Sequence, residues 1–169
     1  SSPGPDEFGP TFFKKNLDTV SLDLLDFLND FYSRVADLDG VNRAFITLLP
    51  KCDVVLSGDG FRPISLQNCV MKIVSRILTT RLQKFIELRV SFEQSGFIAG
   101  RCIADNFLYA ADLIQSCRLR KTPTIALKLD FKKAFDSVSW EALDLIMQAR
   151  GFGDHWRSWV RNILCTGKT

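Results

Sequence analysis

Apolar residues recur along this chain with two periods. Leu17, Val20, Leu24, Leu28, Phe31 and Val35 keep helical spacing, with Asp18, Asp23, Asp26 and Asp30 elsewhere, which predicts an amphipathic packing helix. Val70, Val74, Leu78, Leu82 and Phe85 predict a second helix, with Asn68 placed to cap it. Ile103, Phe107, Ala111 and Ile114 predict a third, leading into a basic turn from Arg118 to Pro123. Trp140, Leu143 and Met147 form a fourth stripe, between a Ser139 cap and Gly151, a natural left-handed stop. Trp156, Trp159, Val160 and Ile163 form a fifth, with Asp154 as its cap and Arg157 and Arg161 on another side. The runs 44–49 and 61–66 predict an antiparallel hairpin. Pro50 stops its first strand, Pro63 favours an edge, and Lys51 to Gly60 is the loop. Ile125, Leu127, Leu129 and Phe131 alternate with Ala126, Lys128 and Asp130, which predicts a strand ending at Asp130. The expected class is α+β, mostly helical.

Composition narrows the function classes. The chain has 169 residues, 46% of them hydrophobic and 14 of them Phe, which suits a folded core and not disorder. No apolar run approaches the roughly 18 residues of a membrane helix, and no signal-peptide pattern opens the chain. Cys52, Cys69, Cys102, Cys117 and Cys165 form no C-x-x-C pair, so reduced thiols and an intracellular setting, nucleus or cytoplasm, are expected. His155 is the only His, which disfavours a Cys/His zinc site and a Ser-His-Asp triad; a capping or surface role is expected. The net charge of +3 is uneven: residues 1–60 hold 5 Lys/Arg against 10 Asp/Glu, and residues 61–169 hold 17 against 9. The later part therefore suits a polyanionic partner, or is an ordinary solvated surface.

Three places could carry chemistry. Asp130, at the mouth of a strand-loop-helix unit, is placed to hold a metal ion; the alternative is a turn residue. Lys51 and Arg62 flank the base of the hairpin loop, where an Arg fork and a Lys point charge could clamp a triphosphate, or where two solvated charges could simply stand. Lys72, Arg76, Arg81, Lys84 and Arg89, opposed only by Glu87, make the second helix basic enough to follow a nucleic-acid backbone.

The wording of three stretches is more specific than their periodicity. Leu129-Asp130-Phe131-Lys132-Lys133-Ala134-Phe135-Asp136-Ser137-Val138 closely resembles the first palm motif of the reverse transcriptases of non-LTR retrotransposons. Phe61 to Leu66 and Gln94 to Arg101 resemble that family's preceding motifs, in order. Ser2-Pro3-Gly4-Pro5-Asp6 resembles the turn that opens its fingers region, although Glu7 stands where the family usually has Gly.

The resemblance implies the fingers and partial palm of a right-hand polymerase, with residues 1–101 as fingers and lead-in and 102–169 as an incomplete palm. It implies RNA-directed DNA synthesis on an RNA template and DNA primer from deoxynucleoside triphosphates, with two Mg²⁺ ions. Asp130 and the Phe131 carbonyl would be metal ligands, with the backbone from Lys132 through Lys133 and Ala134 to Phe135 under the triphosphate. Phe135 would crowd the sugar 2′ carbon, and Asp136 would support by hydrogen bonding. Lys51 and Arg62 would face Asp130 as the fingers close, and Arg101 would steady template or fingers backbone. No Asp-Asp pair occurs in the sequence, whereas the family completes its metal site with an aromatic-Ala-Asp-Asp turn. The expectation is therefore a partial reading frame, inactive by itself. The rival reading is a non-catalytic nucleic-acid-binding remnant; a helical protein-interaction module is a third.

Overall fold

The two apolar runs of the expected hairpin do pair. In the computed structural model, which describes residues 2–54, 57–131 and 133–169, β1 (Ala44–Pro50) and β2 (Phe61–Gln67) form an antiparallel ladder from Ala44↔Gln67 to Pro50↔Phe61. The bonds Asn68 N–H to Arg43 O and Lys51 N–H to Gly60 O bracket this ladder. By alternation, Pro63, opposite Leu48, then falls on a non-hydrogen-bonded pair, where its missing N–H costs no ladder bond. The helices are α1 (Pro10–Lys15), α2 (Leu17–Ser33), α3 (Cys69–Gln83), α4 (Ile103–Leu119), α5 (Trp140–Ala149) and α6 (Asp154–Thr166). The class is α+β and mostly helical. The chain divides into two units, one of Ser1–Ile77 with Trp140–Thr169 and one of Leu78–Ser139.

In the first unit, the core gathers Phe31, Leu38, Cys69, Met71, Val74, Met147 and Trp159. Phe31 of α2 stacks on Trp159 of α6, with ring centroids 6.1 Å apart. Two buried asparagines join the segments around it. Asn42 Nδ2 donates to Ile163 O (2.7 Å) and Thr166 Oγ1 (2.9 Å), while its Oδ1 accepts from Gln67 Nε2. Asn68 Nδ2 donates to Val41 O, and its Oδ1 accepts from the Asp6 backbone N–H. Asn68 does precede α3, as expected, but its carboxamide ties the opening turn to the hairpin. Neither buried amide is left without a partner, the condition on which burying it costs little.

α5 and α6 are pinned by one carboxylate. Asp144 accepts from Arg157 Nε (2.9 Å) and Nη2 (2.6 Å), a bidentate pair, and from Arg161 Nη2 (2.6 Å). The hydrogen bonds from Arg157 come first among the causes that hold the Asp144 carboxyl below its usual range. Lys168 similarly hydrogen-bonds Asp39 and lowers its pKa. The residues around Lys168 also meet the outer edge of β1: Lys168 N–H donates to Asn42 O and Ala44 N–H to Lys168 O.

The second unit holds the end of α3, a loop through residues 90–101, α4, and the stretch carrying Asp130. Ser95 and Ile98 are its buried loop residues. Asn106 of α4 anchors that loop through Nδ2 to Glu93 O (2.6 Å) and Ser95 Oγ (3.0 Å).

Several expectations need correction. Residues 125–131 form no strand: they lie outside regular secondary structure, and Ile125, Leu127, Leu129 and Phe131 are all exposed. Alternation says which face a strand would bury, but a ladder needs a second backbone to accept its bonds, and none of the described segments supplies one. The α4 stripe is helical yet uncovered, with Ile103, Phe107 and Ile114 exposed. In α3 the most buried positions are Met71 and Val74, and Phe85 lies past the helix end, exposed. Val35 lies beyond α2, whose end is turned by Arg34. Gly153, not Asp154, is the N-cap of α6; Asp154 is the first helical residue, where its charge still suits the helix dipole. β1 includes Pro50 as its last residue.

Candidate nucleotide and nucleic-acid site

The Asp130 stretch begins after α4, whose end is closed by Lys121 in the left-handed region (φ 52°). Asp130 and Phe131 are exposed. A turn follows, in which Lys133 has φ 51° and its carbonyl accepts from the N–H groups of Asp136 (3.0 Å) and Ser137 (3.1 Å). Ser137 Oγ closes the turn on Ala134 O at 3.3 Å. Thus Asp130, Phe131, Lys133, Ala134, Phe135 and Asp136 share one exposed segment, in which Asp136 takes part through its backbone N–H. Lys132 lies outside the described residues.

Lys51 and Arg62 stand together at the loop end of the hairpin, both exposed. Arg62 is opposite Leu49, and Lys51 follows two residues beyond Leu49, its N–H on Gly60 O at 2.8 Å. Two-residue alternation gives Lys51 and Arg62, one on each side of the loop's base, the same face of the ladder.

The basic residues of α3 do not form a single row. At about 3.6 residues per turn, Lys72 and Arg76 lie on one side and Arg81 on the other. Lys72 Nζ donates to Ser2 O at 2.7 Å, and Lys84 follows the last helical residue. Arg101 holds the chain's own backbone, donating through Nη1 to Ser91 O (2.5 Å) and Gln94 O (2.7 Å), and through Nη2 to Val90 O (3.3 Å). Gln83 grips the same loop from α3: its Nε2 donates to Phe97 O (2.8 Å) and its Oε1 accepts from Ala99 N–H (2.9 Å). Sequence reasoning missed Gln83. No periodic signal marks it, because its two bonds go to backbone atoms.

His155 is exposed, in keeping with the capping or surface role expected of it. Its Nε2 is 3.0 Å from Tyr32 O at the end of α2, where Trp159 Nε1 also donates at 3.2 Å. It therefore meets the carbonyl end of a neighbouring helix. All five cysteines are free, and burial pushes the Cys69 thiol up, which suits packing and not reactivity.

The donor set for a divalent ion is small. Among the described residues, no group of three or more His, Cys, Asp or Glu comes together around one point. Asp130 and the Phe131 carbonyl are two oxygen donors, fewer than Mg²⁺ with near-octahedral demands would take from a protein and its substrate. The residues present do not by themselves fit a metal pair.

The chain belongs to the reverse transcriptase (RNA-dependent DNA polymerase) family, whose model matches residues 49–169. Its relatives include the transposon TX1 uncharacterized 149 kDa protein of Xenopus laevis, 29% identical over 167 residues, which are 99% of this chain and 13% of that protein. The Pol polyprotein of the type-1 retrotransposable element R2 of Popillia japonica is 27% identical over 73% of this chain and 17% of its own length. That of element R1 of Bradysia coprophila is 29% identical over 75% and 13%. The domain is thus related to those of non-LTR retrotransposons, and this short chain covers part of it. Among the described residues, no helix is long and apolar enough to cross a membrane.

Proposed function

We propose that the chain is the fingers and early palm of an RNA-directed DNA polymerase that extends a DNA primer on an RNA template. The observation that carries this reading is the Leu129–Val138 wording within the matched family region, with Asp130 and Phe135 exposed together on one segment. Asp130 supplies one carboxylate to the catalytic centre of the complete enzyme, with the Phe131 carbonyl beside it. In that enzyme two Mg²⁺ ions would stabilise the attacking and leaving oxygens of nucleotidyl transfer. Lys51 and Arg62 hold the triphosphate, and the N–H groups from Lys132 to Phe135 assist. Phe135 excludes a 2′-hydroxyl by size. Lys72, Arg76, Arg81 and Lys84 hold phosphates, and Arg101 acts by fixing the loop before α4. Residues 1–101 act as fingers and 102–169 as palm.

Electrostatic holding does not depend on the metal, so the 169-residue chain binds an RNA–DNA duplex weakly, with little sequence preference. It extends no primer by itself. Counterion release makes the binding salt-sensitive, with a log–log slope of about −0.9 per phosphate neutralised on B-form duplex and roughly −0.7 on single strands. A salt titration tests this against a charge-reversed protein, with Lys72, Arg76, Arg81 and Lys84 each changed to Glu. Binding indifferent to both salt and charge reversal contradicts the reading, as does processive extension by the chain alone.

A further inference from the structure

Phe97 and Phe135 are large apolar rings that face water. They are 87% and 86% exposed, and they meet edge to face, with centroids 6.4 Å apart and an interplanar angle of 83°. Phe97 also has φ 64°, a left-handed conformation that Phe adopts reluctantly. The loop leaves it little choice. Gln83 grips the Phe97 carbonyl and the Ala99 N–H, Arg101 grips the carbonyls of Ser91 and Gln94, and Asn106 grips that of Glu93. The ring is thereby presented from a braced loop instead of folding into the core beside Ile98.

Its setting indicates the kind of partner. Exposed Arg81 and Lys84 flank Gln83 in sequence, and residues 78–101 hold 4 Lys/Arg against 2 Asp/Glu. An aromatic face beside cations takes a base on the ring and its phosphates on the charges, without regard to sequence. We propose that Phe97, with Phe135 at its edge, is a stacking platform for an unpaired nucleobase of a single strand. The proposal deepens, and rests on, the nucleic-acid reading above.

The test uses the 169-residue chain and fluorescence anisotropy with three probes of equal length: oligo(rU), oligo(dT) and an abasic deoxyribose-phosphate strand. The abasic strand keeps the phosphates and loses every base. Stacking predicts that oligo(rU) and oligo(dT) bind about tenfold more tightly than the abasic strand. Phe97→Leu removes that advantage while leaving abasic binding unchanged, and Phe97→Trp retains it. Because the Phe97 ring is exposed, neither substitution empties a core position. Equal binding of all three probes by the unaltered chain, or an advantage that survives Phe97→Leu, overturns the platform while the nucleic-acid reading stands. Failure to bind any probe overturns both.

Discussion

Gly4 and Glu7 show what a single position can demand. A Cβ on Gly4 would stand 2.4 Å from both the backbone N and Oδ1 of Asn68, and 2.5 Å from the Gln67 carbonyl carbon. Most of those atoms are backbone, so the collision cannot be relieved by rotating a side chain. Gly4→Ala is expected to cost about 1–3 kcal/mol, as overpacking does. Glu7 closes the same turn, its N–H on Gly4 O at 3.0 Å, with φ 60°. Glycine is the residue that takes this conformation at least cost, which gives a physical meaning to its usual presence in the family. Glu7→Gly is expected to stabilise the fold by at most about 1 kcal/mol, since relief of strain is partly offset by unfolded-chain entropy. Urea midpoints of the two variants check both signs; a destabilised Glu7→Gly would show that the Glu side chain has a role of its own. Phe135 carries the second residue-scale prediction. In a complete polymerase containing this domain, Phe135→Ala should admit ribonucleotides more readily, because it removes bulk without touching a carboxylate. Unchanged discrimination between ribo- and deoxyribonucleotides would leave Phe135 without the sugar-selecting role.

At the scale of elements, helix positions were legible from periodicity, and their closures were not. α2, α4 and α5 are each followed by one left-handed residue, Arg34, Lys121 or Gly151, with paired bonds returning to the last turn. Only Gly151 announced itself, because Arg and Lys give no sign that they will bear a positive φ. Burial was equally hard to foresee for α4, since periodicity states which face could be covered and not what covers it. Asp144 was likewise invisible: the spacing of Arg157 and Arg161 shows a shared face, but the carboxylate they meet belongs to the preceding helix. The pH dependence follows from the depressed Asp144 pKa. A folded pKa below the unfolded one gives stability that is present above the unfolded value, near 3.9, and lost as pH falls through the folded one. Asp144→Asn should therefore lower the urea midpoint at pH 7, and the gap from the unaltered protein should narrow below about pH 4. An equal gap at pH 7 and pH 3 would mean that the pair contributes through packing alone.

For the whole molecule, the hairpin and the helical class could be read from the residues, whereas the lack of a strand before Asp130 could not. A strand is a relation between two backbones, and one alternating run expresses only half of it. The family wording carried more than the periodicity because it fixed residue identities around Asp130 and not just polarity. The chain spans between 13% and 17% of the length of the curated relatives it matches, so the activity proposed here belongs to a larger assembly of segments. The most direct measurement is RNA-templated primer extension by a complete polymerase carrying residues 1–169, compared with the same enzyme bearing Asp130→Asn. That substitution keeps size and removes charge, so primer–template binding should persist while extension falls by about 10²–10³-fold or more. Undiminished extension by Asp130→Asn would contradict the assignment of this carboxylate to the catalytic centre.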